Sequence, residues 1–127
     1  MSISTDSITV GMARLALDAA SMRHQAIANN IANANTAGYA PVRVDFESQM
    51  DAVRAALQQG GTVTPSMLQG VAPVLRRDVP PAEAGQGAAL DMEIASLAQN
   101  TVQYQALLKA LSKHMSILSA AVAEGKR

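Results

Sequence analysis

Apolar residues recur at helical spacing in two long segments, one near each end of the chain. In the first segment the apolar positions lie alternately four and three residues apart: Ile8, Met12, Leu15, Ala19, Met22 and Ala26. Residues with this spacing share one face of an α-helix. The segment from Asp6 to about Ala34 contains one glycine and no proline, and Asp6 or Ser7 is suited to cap its start. The pattern therefore predicts an amphipathic N-terminal helix.

The C-terminal segment carries the strongest periodic signal in the sequence. Its predicted seam is a row of positions that lie alternately four and three residues apart without a break, and Thr101 is the one polar member. The row consists of Leu90, Ile94, Leu97, Thr101, Tyr104, Leu108, Leu111, Met115, Leu118 and Val122. Neither glycine nor proline interrupts residues 88–124, Asp91 and Glu93 suit a helix start, and Gly125 begins a stop signal. We expect one long helix whose seam, from Ile94 to Val122, pairs with the face from Ile8 to Ala26 in an antiparallel, coiled-coil-like hairpin.

The segment between these helices has a different character. Phe46, Met50, Val53 and Leu57 predict a short helix that ends at Gly60. From Gly60 to Gly87 the chain carries five glycines and four of its five prolines, which predicts a loop or extended segment with a short strand near 71–75. The expected fold is mainly α, divided into an N-terminal helical segment (1–35), a middle segment (36–89) and a C-terminal heptad helix (90–127).

Composition favours close-packed helices over a compact core. Hydrophobic residues make up 49% of the chain but aromatic residues only 2%, and 25 residues are alanine. Alanine favours helix and allows helices to approach closely. The formal net charge is zero, which argues against nucleic acid or an anionic membrane as the main partner. Cysteine is absent, which excludes disulfides and thiolate sites. No apolar run approaches the ~18 residues that span a bilayer, and no secretory signal is visible. Composition alone therefore favours the cytoplasm.

Candidate catalytic or metal-binding residues are few. His24 and His114 lie one on each predicted long helix, without a second ligand in helical register, and are interpreted as polar-face residues rather than a metal site. Asp91 and Glu93 are interpreted as helix-start residues rather than an acid–base pair, and the Arg76-Arg77 pair as solvated. No catalytic or cofactor-binding motif is present. We therefore predict no enzyme activity, no cofactor and no small-molecule substrate.

An asparagine-rich motif, ANNIANANTAGY, occupies residues 28–39 and is the least usual feature of the sequence. Asparagine is a poor helix former that tolerates turns. A frayed helix end accounts for Asn35 and Gly38 but not for Asn29, Asn30 and Asn33, which continue the helical pattern. Their amides could instead form polar contacts between chains that fix register. The residue chemistry by itself leaves these two interpretations equally open.

This motif resembles the N-terminal signature of the bacterial flagellar rod and hook protein family, A-N-N-[IL]-A-N-x-x-T-x-G-[YF]. The matching positions are Ala28, Asn29, Asn30, Ile31, Ala32, Asn33, Thr36, Gly38 and Tyr39. Within that family, three features resemble a proximal-rod member: the short chain, the Asp45-Phe46 pair after the motif, and the segment from Leu97 to Val122. The resemblance covers both ends, about half of the chain, and leaves the Gly/Pro-rich middle unmatched.

The resemblance implies a structural subunit that polymerises helically in the proximal rod of the basal body. The implied partners are copies of itself, other rod proteins, the MS-ring adaptor protein (FliE), the MS ring and the export gate. It also implies export by the flagellar type III system without a cleaved signal, and hence a periplasmic location in place of the cytoplasmic default. Tyr39 is expected to anchor the turn out of the helix, and the isolated chain to be marginally folded. The alternative is a soluble helical-hairpin adaptor or secretion chaperone that binds one partner helix.

Overall fold

Two long helices and a small middle segment make up the protein. The computed structural model describes residues 2–78 and 86–125, with side chains described from residue 6 and, in the last helix, from residue 89. The elements in chain order are α1 (Ser2–Ala32), β1 (Val42–Asp45), a 3₁₀ turn (Ser48–Met50), α2 (Asp51–Gln58), α3 (Pro65–Gln69), β2 (Val74–Arg77) and α4 (Gln86–Gly125). The mainly α fold with long N- and C-terminal helices is confirmed, whereas the division into three segments stays a prediction.

Both long helices begin earlier than their expected caps. α1 starts at Ser2 rather than at Asp6 or Ser7, and α4 starts at Gln86 rather than at Asp91. No proline lies at either extension, so nothing in the backbone stops the helix there. α1 ends at Ala32 and α4 at Gly125, both close to the predicted ends. The last two residues of the predicted stop signal lie outside the described residues.

The middle segment contains a two-stranded antiparallel sheet that joins distant parts of the chain. β1 pairs with β2 so that Val42 faces Arg77 and Asp45 faces Val74. A proline precedes each strand, Pro41 before β1 and Pro73 before β2, where the missing N–H is tolerated. β1 was not predicted, whereas β2 begins three residues later than the expected strand and overlaps it at Val74 and Leu75. The adjacent prolines of the predicted loop, Pro80 and Pro81, lie outside the described residues.

The buried core lies between α1 and the middle segment. Its five members are Ala19, Phe46, Val53, Val63 and Val71, and Ile8, Met12 and Leu15 pack against it from α1. The α1 face that was expected to pair with α4 therefore packs largely against the middle segment. The reason is the presence of Phe46 and three valines, which supply apolar area that alanine cannot. α2, predicted from the spacing that starts at Phe46, places Val53 in this core at 1% exposure.

A different side of α1 contacts α4. Three polar contacts mark the antiparallel alignment: Asp6 with His114, Ala20 with Asn100, and Asn30 with Glu93. Ala13 and Ala20, seven residues apart and in helical register with Asp6, are half-buried and buried. Their small side chains allow the two helices to approach closely. Among the described residues, no helix has the length and apolar character needed to cross a bilayer.

Candidate assembly site

The seam of α4 that faces α1 is partly polar. Buried or half-buried positions recur along one side of α4 at spacings of three and four residues, with one gap of seven after Asn100: Glu93, Leu97, Asn100, Leu107, Leu111, His114 and Leu118. Leu97, Leu111 and Leu118 belong to the predicted seam, as does the half-buried Leu90. The other four positions were not predicted to face α1. Three of them are polar and face polar groups of α1: Glu93 accepts from Asn30, Asn100 donates to the carbonyl of Ala20, and His114 lies 3.7 Å from Asp6.

The remaining half of the predicted seam faces away from α1. We call these residues the exposed stripe: Ile94, Thr101, Leu108, Met115 and Val122, one every seven residues. The exposed fractions of the four apolar members run from 42% for Leu108 to 60% for Val122. Their expected pairing with α1 is therefore wrong within a single chain. Tyr104 lies at the border between the stripe and the seam and is 37% exposed.

Asn30 is the hub of the asparagine motif and is 3% exposed. Its Nδ2 donates to the carbonyl of Val42 at 2.9 Å and to Oε2 of Glu93 at 3.2 Å. Its Oδ1 accepts from the Val42 N–H at 2.8 Å and from the Tyr39 hydroxyl at 2.9 Å. These four bonds use both donors and both lone pairs of the amide. The side chain thus has no capacity left for a second chain, which differs from the interchain contact expected for it.

The bonds of Asn30 explain why helix α1 is followed by strand β1. Because the amide bonds both backbone groups of Val42, it substitutes for a neighbouring strand at the start of β1. Tyr39 reaches back to the same amide and ties the turn to the helix. Gly38, with a φ of +74°, provides the left-handed residue of that turn. The motif therefore encodes a helix-to-strand junction within one chain.

The other positions of the motif surround this hub. Asn33 donates to the carbonyl of Asn29 at 2.9 Å and accepts from the Thr36 hydroxyl at 3.3 Å. Asn29 itself is exposed and Ile31 is half-buried. The amides of Asn29 and Asn33 retain unused donor capacity at the surface, so an interchain role for them stays a prediction.

Glu93 connects the junction to the sheet. It is 6% exposed, and its Oε1 lies 2.6 Å from Nη1 of Arg43 in β1. The Nε of Arg43 in turn donates to Asp78 at 3.0 Å, just beyond β2. Burial opposes the charge on Arg43, but the bonds to Asp78 and Glu93 outweigh it and raise the pKa of the guanidinium. A buried carboxylate requires such a partner.

Sequence reasoning missed Glu93 and Arg43 as site residues. Glu93 was interpreted as a first-turn residue that favours the helix dipole, which is wrong because α4 begins seven residues earlier. Its position in the register that includes Leu97 and Asn100 was the available signal. The Arg76-Arg77 pair is exposed as expected, although Arg76 pairs with Asp45 at 3.0 Å and Arg77 lies over the Tyr39 ring.

The predicted positions of α1 serve the fold rather than the exposed stripe. Ile8, Met12 and Leu15 contact the core, and Met22 is half-buried. The site therefore consists of two parts. One is the junction around Asn30 and Glu93, which holds the helices and the sheet together. The other is the exposed stripe of α4, which offers an unpaired apolar surface suited to another helix.

Two comparisons with known proteins bear on this site. The sequence model of a family described as "Flagella basal body rod protein" matches residues 12–39, a range that ends at Tyr39 of the asparagine motif. The flagellar basal body rod protein FlgB of Bacillus subtilis (strain 168) is 29% identical over 119 residues, which cover 87% of this chain and 90% of that protein. These findings confirm the resemblance to flagellar basal body rod proteins.

Proposed function

Because the chain is similar to flagellar basal body rod proteins in its asparagine motif and along most of its length, we propose that it is a structural subunit of the proximal rod. In this role it polymerises helically with copies of itself and with other rod proteins. The resulting segment connects the MS ring and the export gate to the distal rod, and flagellum assembly and motility depend on it.

The observation that carries this proposal is the exposure of apolar residues on more than one side of α4. From Ile94 to Ala123 the helix has two formally charged residues, Lys109 and Lys113. Besides the exposed stripe, Val102 and Ile117 are 67% and 58% exposed on other sides of the helix. Exposed apolar surface of this extent is typical of a contact with another protein chain. Since α1 covers one side of α4, neighbouring chains are the natural cover for the rest.

Export by the flagellar type III system, without a cleaved signal, belongs to the same proposal. The sequence has three aromatic residues and no cysteine, so the subunit carries few bulky core residues and no disulfide that would oppose passage in an unfolded state. The MS-ring adaptor protein (FliE) and the export gate are the proposed neighbours at the membrane end of the rod.

The decisive experiment is electron microscopy of basal bodies from cells that lack this protein. We expect basal bodies without a rod and non-motile cells, with both defects repaired by the wild-type gene. Complete rods in the deletion strain would overturn the proposal and favour the alternative adaptor. Rods restored by the wild-type chain, with the chain detected in them by antibody labelling, would exclude a secretion chaperone, because a chaperone does not stay in the rod.

A further inference from the structure

Three neighbouring rows of α4, each with one residue in every seven, determine which side of the helix α1 can cover. The middle row consists of Leu90, Leu97, Tyr104, Leu111 and Leu118, and all but Tyr104 are half-buried. One flank of it, which we call the polar row, consists of Glu93, Asn100, Leu107 and His114 and is buried or half-buried. The other flank is the exposed stripe. Because the two flanks lie at similar angles from the middle row, α1 can cover either of them together with that row.

The contact with α1 leaves the polar row incompletely bonded. Asn100 donates to the carbonyl of Ala20 at 2.8 Å, but its Oδ1 is buried and has no hydrogen-bond partner among the described residues. The Nε2 of His114 is also buried without such a partner, since Asp6 is 3.7 Å away. In the part of the chain that the structure describes, these are the two buried side-chain polar atoms without a hydrogen bond, and both lie on this row. A buried polar atom without a partner is unfavourable because it has lost its bond to water.

The exposed stripe has the opposite imbalance. Four of its five members are apolar, and Leu108 and Val122 are 42% and 60% exposed. A rotation of α4 about its own axis by roughly 50°, half of the ~100° between successive residues, would bring the stripe against α1 and turn the polar row to water. This rotation would allow water to bond Oδ1 of Asn100 and Nε2 of His114, and it would bury apolar side chains.

Hydrogen bonds near the start of α4 oppose this rotation. The carboxylate of Glu93 accepts from Asn30 at 3.2 Å and lies 2.6 Å from Nη1 of Arg43. The bond from Asn100 to the carbonyl of Ala20 would be lost as well. Both of these α4 residues lie in the first half of the helix, whereas three of the four apolar members of the exposed stripe lie in the second half. Opposing contributions therefore act on the same helix, and neither orientation satisfies all of its side chains.

We propose that α4 of the free chain exchanges between the described orientation and a second one, rotated by roughly 50°, in which α1 covers the exposed stripe. The second orientation hides apolar surface from water and leaves the polar row solvated. Asn100 and His114 set the balance between the two states, because each regains a bond to water when α4 rotates. This device belongs to the single chain, goes beyond the proposed function and does not depend on it.

Intrachain disulfides can report both orientations, because the chain has no natural cysteine. The two polar contacts on this side of α1 place Ala13, halfway between them, opposite Leu107, and the rotation replaces Leu107 by Leu108. Full-length chains carrying Ala13→Cys with either Leu107→Cys or Leu108→Cys are equilibrated with glutathione at submicromolar concentration, where intrachain pairing dominates. The control pair is Ala13→Cys with Ala106→Cys, which lies on the far side of α4. We expect the disulfides of both test pairs to be at least about fivefold more stable towards glutathione than that of the control pair.

The polar row is tested by combining each cysteine pair with Asn100→Leu and His114→Leu. These substitutions remove both unpartnered atoms and make the polar row apolar, so they favour the described orientation. The Leu108→Cys disulfide should become at least about fivefold less stable, whereas the Leu107→Cys disulfide should not weaken. Gln99→Leu with Lys113→Leu is the matched control, because it adds the same side chains at exposed positions and should change neither disulfide.

Two outcomes would overturn the inference. A Leu108→Cys disulfide no more stable than that of the control pair would mean that α4 does not reach the second orientation. A Leu108→Cys disulfide unchanged by the two leucine substitutions, in a chain that circular dichroism shows to be helical, would mean that the polar row does not set the balance. Asn100→Leu alone is used if the double variant is not helical. No measurement involves rods or motility, so these results do not depend on the proposed function.

Discussion

Asn30 and Glu93, 63 positions apart in the chain, are joined by a buried hydrogen bond of 3.2 Å between Nδ2 and Oε2. The bond connects the end of α1 with the first turns of α4, and Arg43 extends the connection to β1. A motif recognisable from sequence as a signature of an assembling family therefore has a definite task inside the single chain. It fixes the point at which the two long helices and the sheet meet.

Replacing Asn30 by alanine is expected to destabilise the isolated chain. The substitution removes the hydrogen bonds of Asn30 to both backbone groups of Val42 and to Oε2 of Glu93, at a cost of roughly 2–3 kcal/mol. Urea unfolding followed by circular dichroism measures the change in free energy of unfolding. Asn29→Ala is the matched control, because Asn29 is exposed and its loss should change stability by less than about 0.5 kcal/mol. Equal effects of both substitutions would contradict the assignment of Asn30 as the hub.

Neighbouring leucines of α4 separate folding from assembly. Leu108 is exposed on the stripe, so Leu108→Asp should leave the free energy of unfolding within about 0.5 kcal/mol while it abolishes rod assembly and motility. Leu111 is half-buried on the seam towards α1, so Leu111→Asp should also lower stability, by roughly 2–4 kcal/mol.

The measurements are chemical denaturation of each purified variant and motility of cells that express it. Full swimming with Leu108→Asp would refute the stripe as an assembly surface. A large loss of stability in the same variant would instead mean that Leu108 belongs to the intrachain seam.

Gly38 and Gly70 form a matched pair for testing the turn after α1. Neither has any atom within 4 Å of the position that a Cβ would occupy, but Gly38 has a φ of +74° and Gly70 a φ of −86°. Gly38→Ala should therefore cost about 1–2 kcal/mol through backbone strain alone. Gly70→Ala should be neutral or slightly stabilising, because alanine restricts the unfolded chain. Thermal unfolding of both variants checks this, and equal melting temperatures would refute the left-handed turn.

Acidification should destabilise the junction between α1 and the middle segment. Hydrogen bonds from Ser48 hold the pKa of Asp45 below its usual range, with a smaller contribution from Arg76. Burial opposes ionisation of Glu47, but its bonds from the backbone and from Arg23 outweigh burial and lower its pKa as well. A carboxyl group whose pKa is lowered by folding contributes stability above its unfolded pKa and loses it as pH falls through the folded pKa.

The free energy of unfolding should therefore fall between about pH 5 and pH 3. The effect is modest, since the side chain of Glu47 is 62% exposed and water screens its ion pair with Arg23. Urea midpoints measured across this range for the wild type and for a variant with Asp45→Asn and Glu47→Gln test the origin of the effect. If the free energy of unfolding fell by the same amount in both proteins, the loss of stability at low pH would come from other carboxylates.

The structural features that local sequence predicts best are the long helices and their C-terminal ends. The 4-and-3 spacing in both terminal segments reflects a single helix, so it needs no knowledge of the partner. The same holds for α2, which follows from the spacing of Val53 and Leu57, although the helix begins at Asp51 and Phe46 lies before it. β1 was missed because four residues give too short a pattern, and its existence depends on Asn30 and on β2, more than thirty residues further along.

The sequence by itself determined which residues of α4 are apolar and that the helix is long. Only the tertiary structure decided which apolar positions face α1. Helical spacing cannot distinguish a seam through Leu97 and Ile94 from one through Leu97 and Glu93, since both satisfy the same period. The second seam is used because Asn30, Arg43 and the carbonyl of Ala20 supply partners for Glu93 and Asn100. The stripe through Ile94 and Leu108 consequently stays exposed, and it is this surface that we assign to assembly.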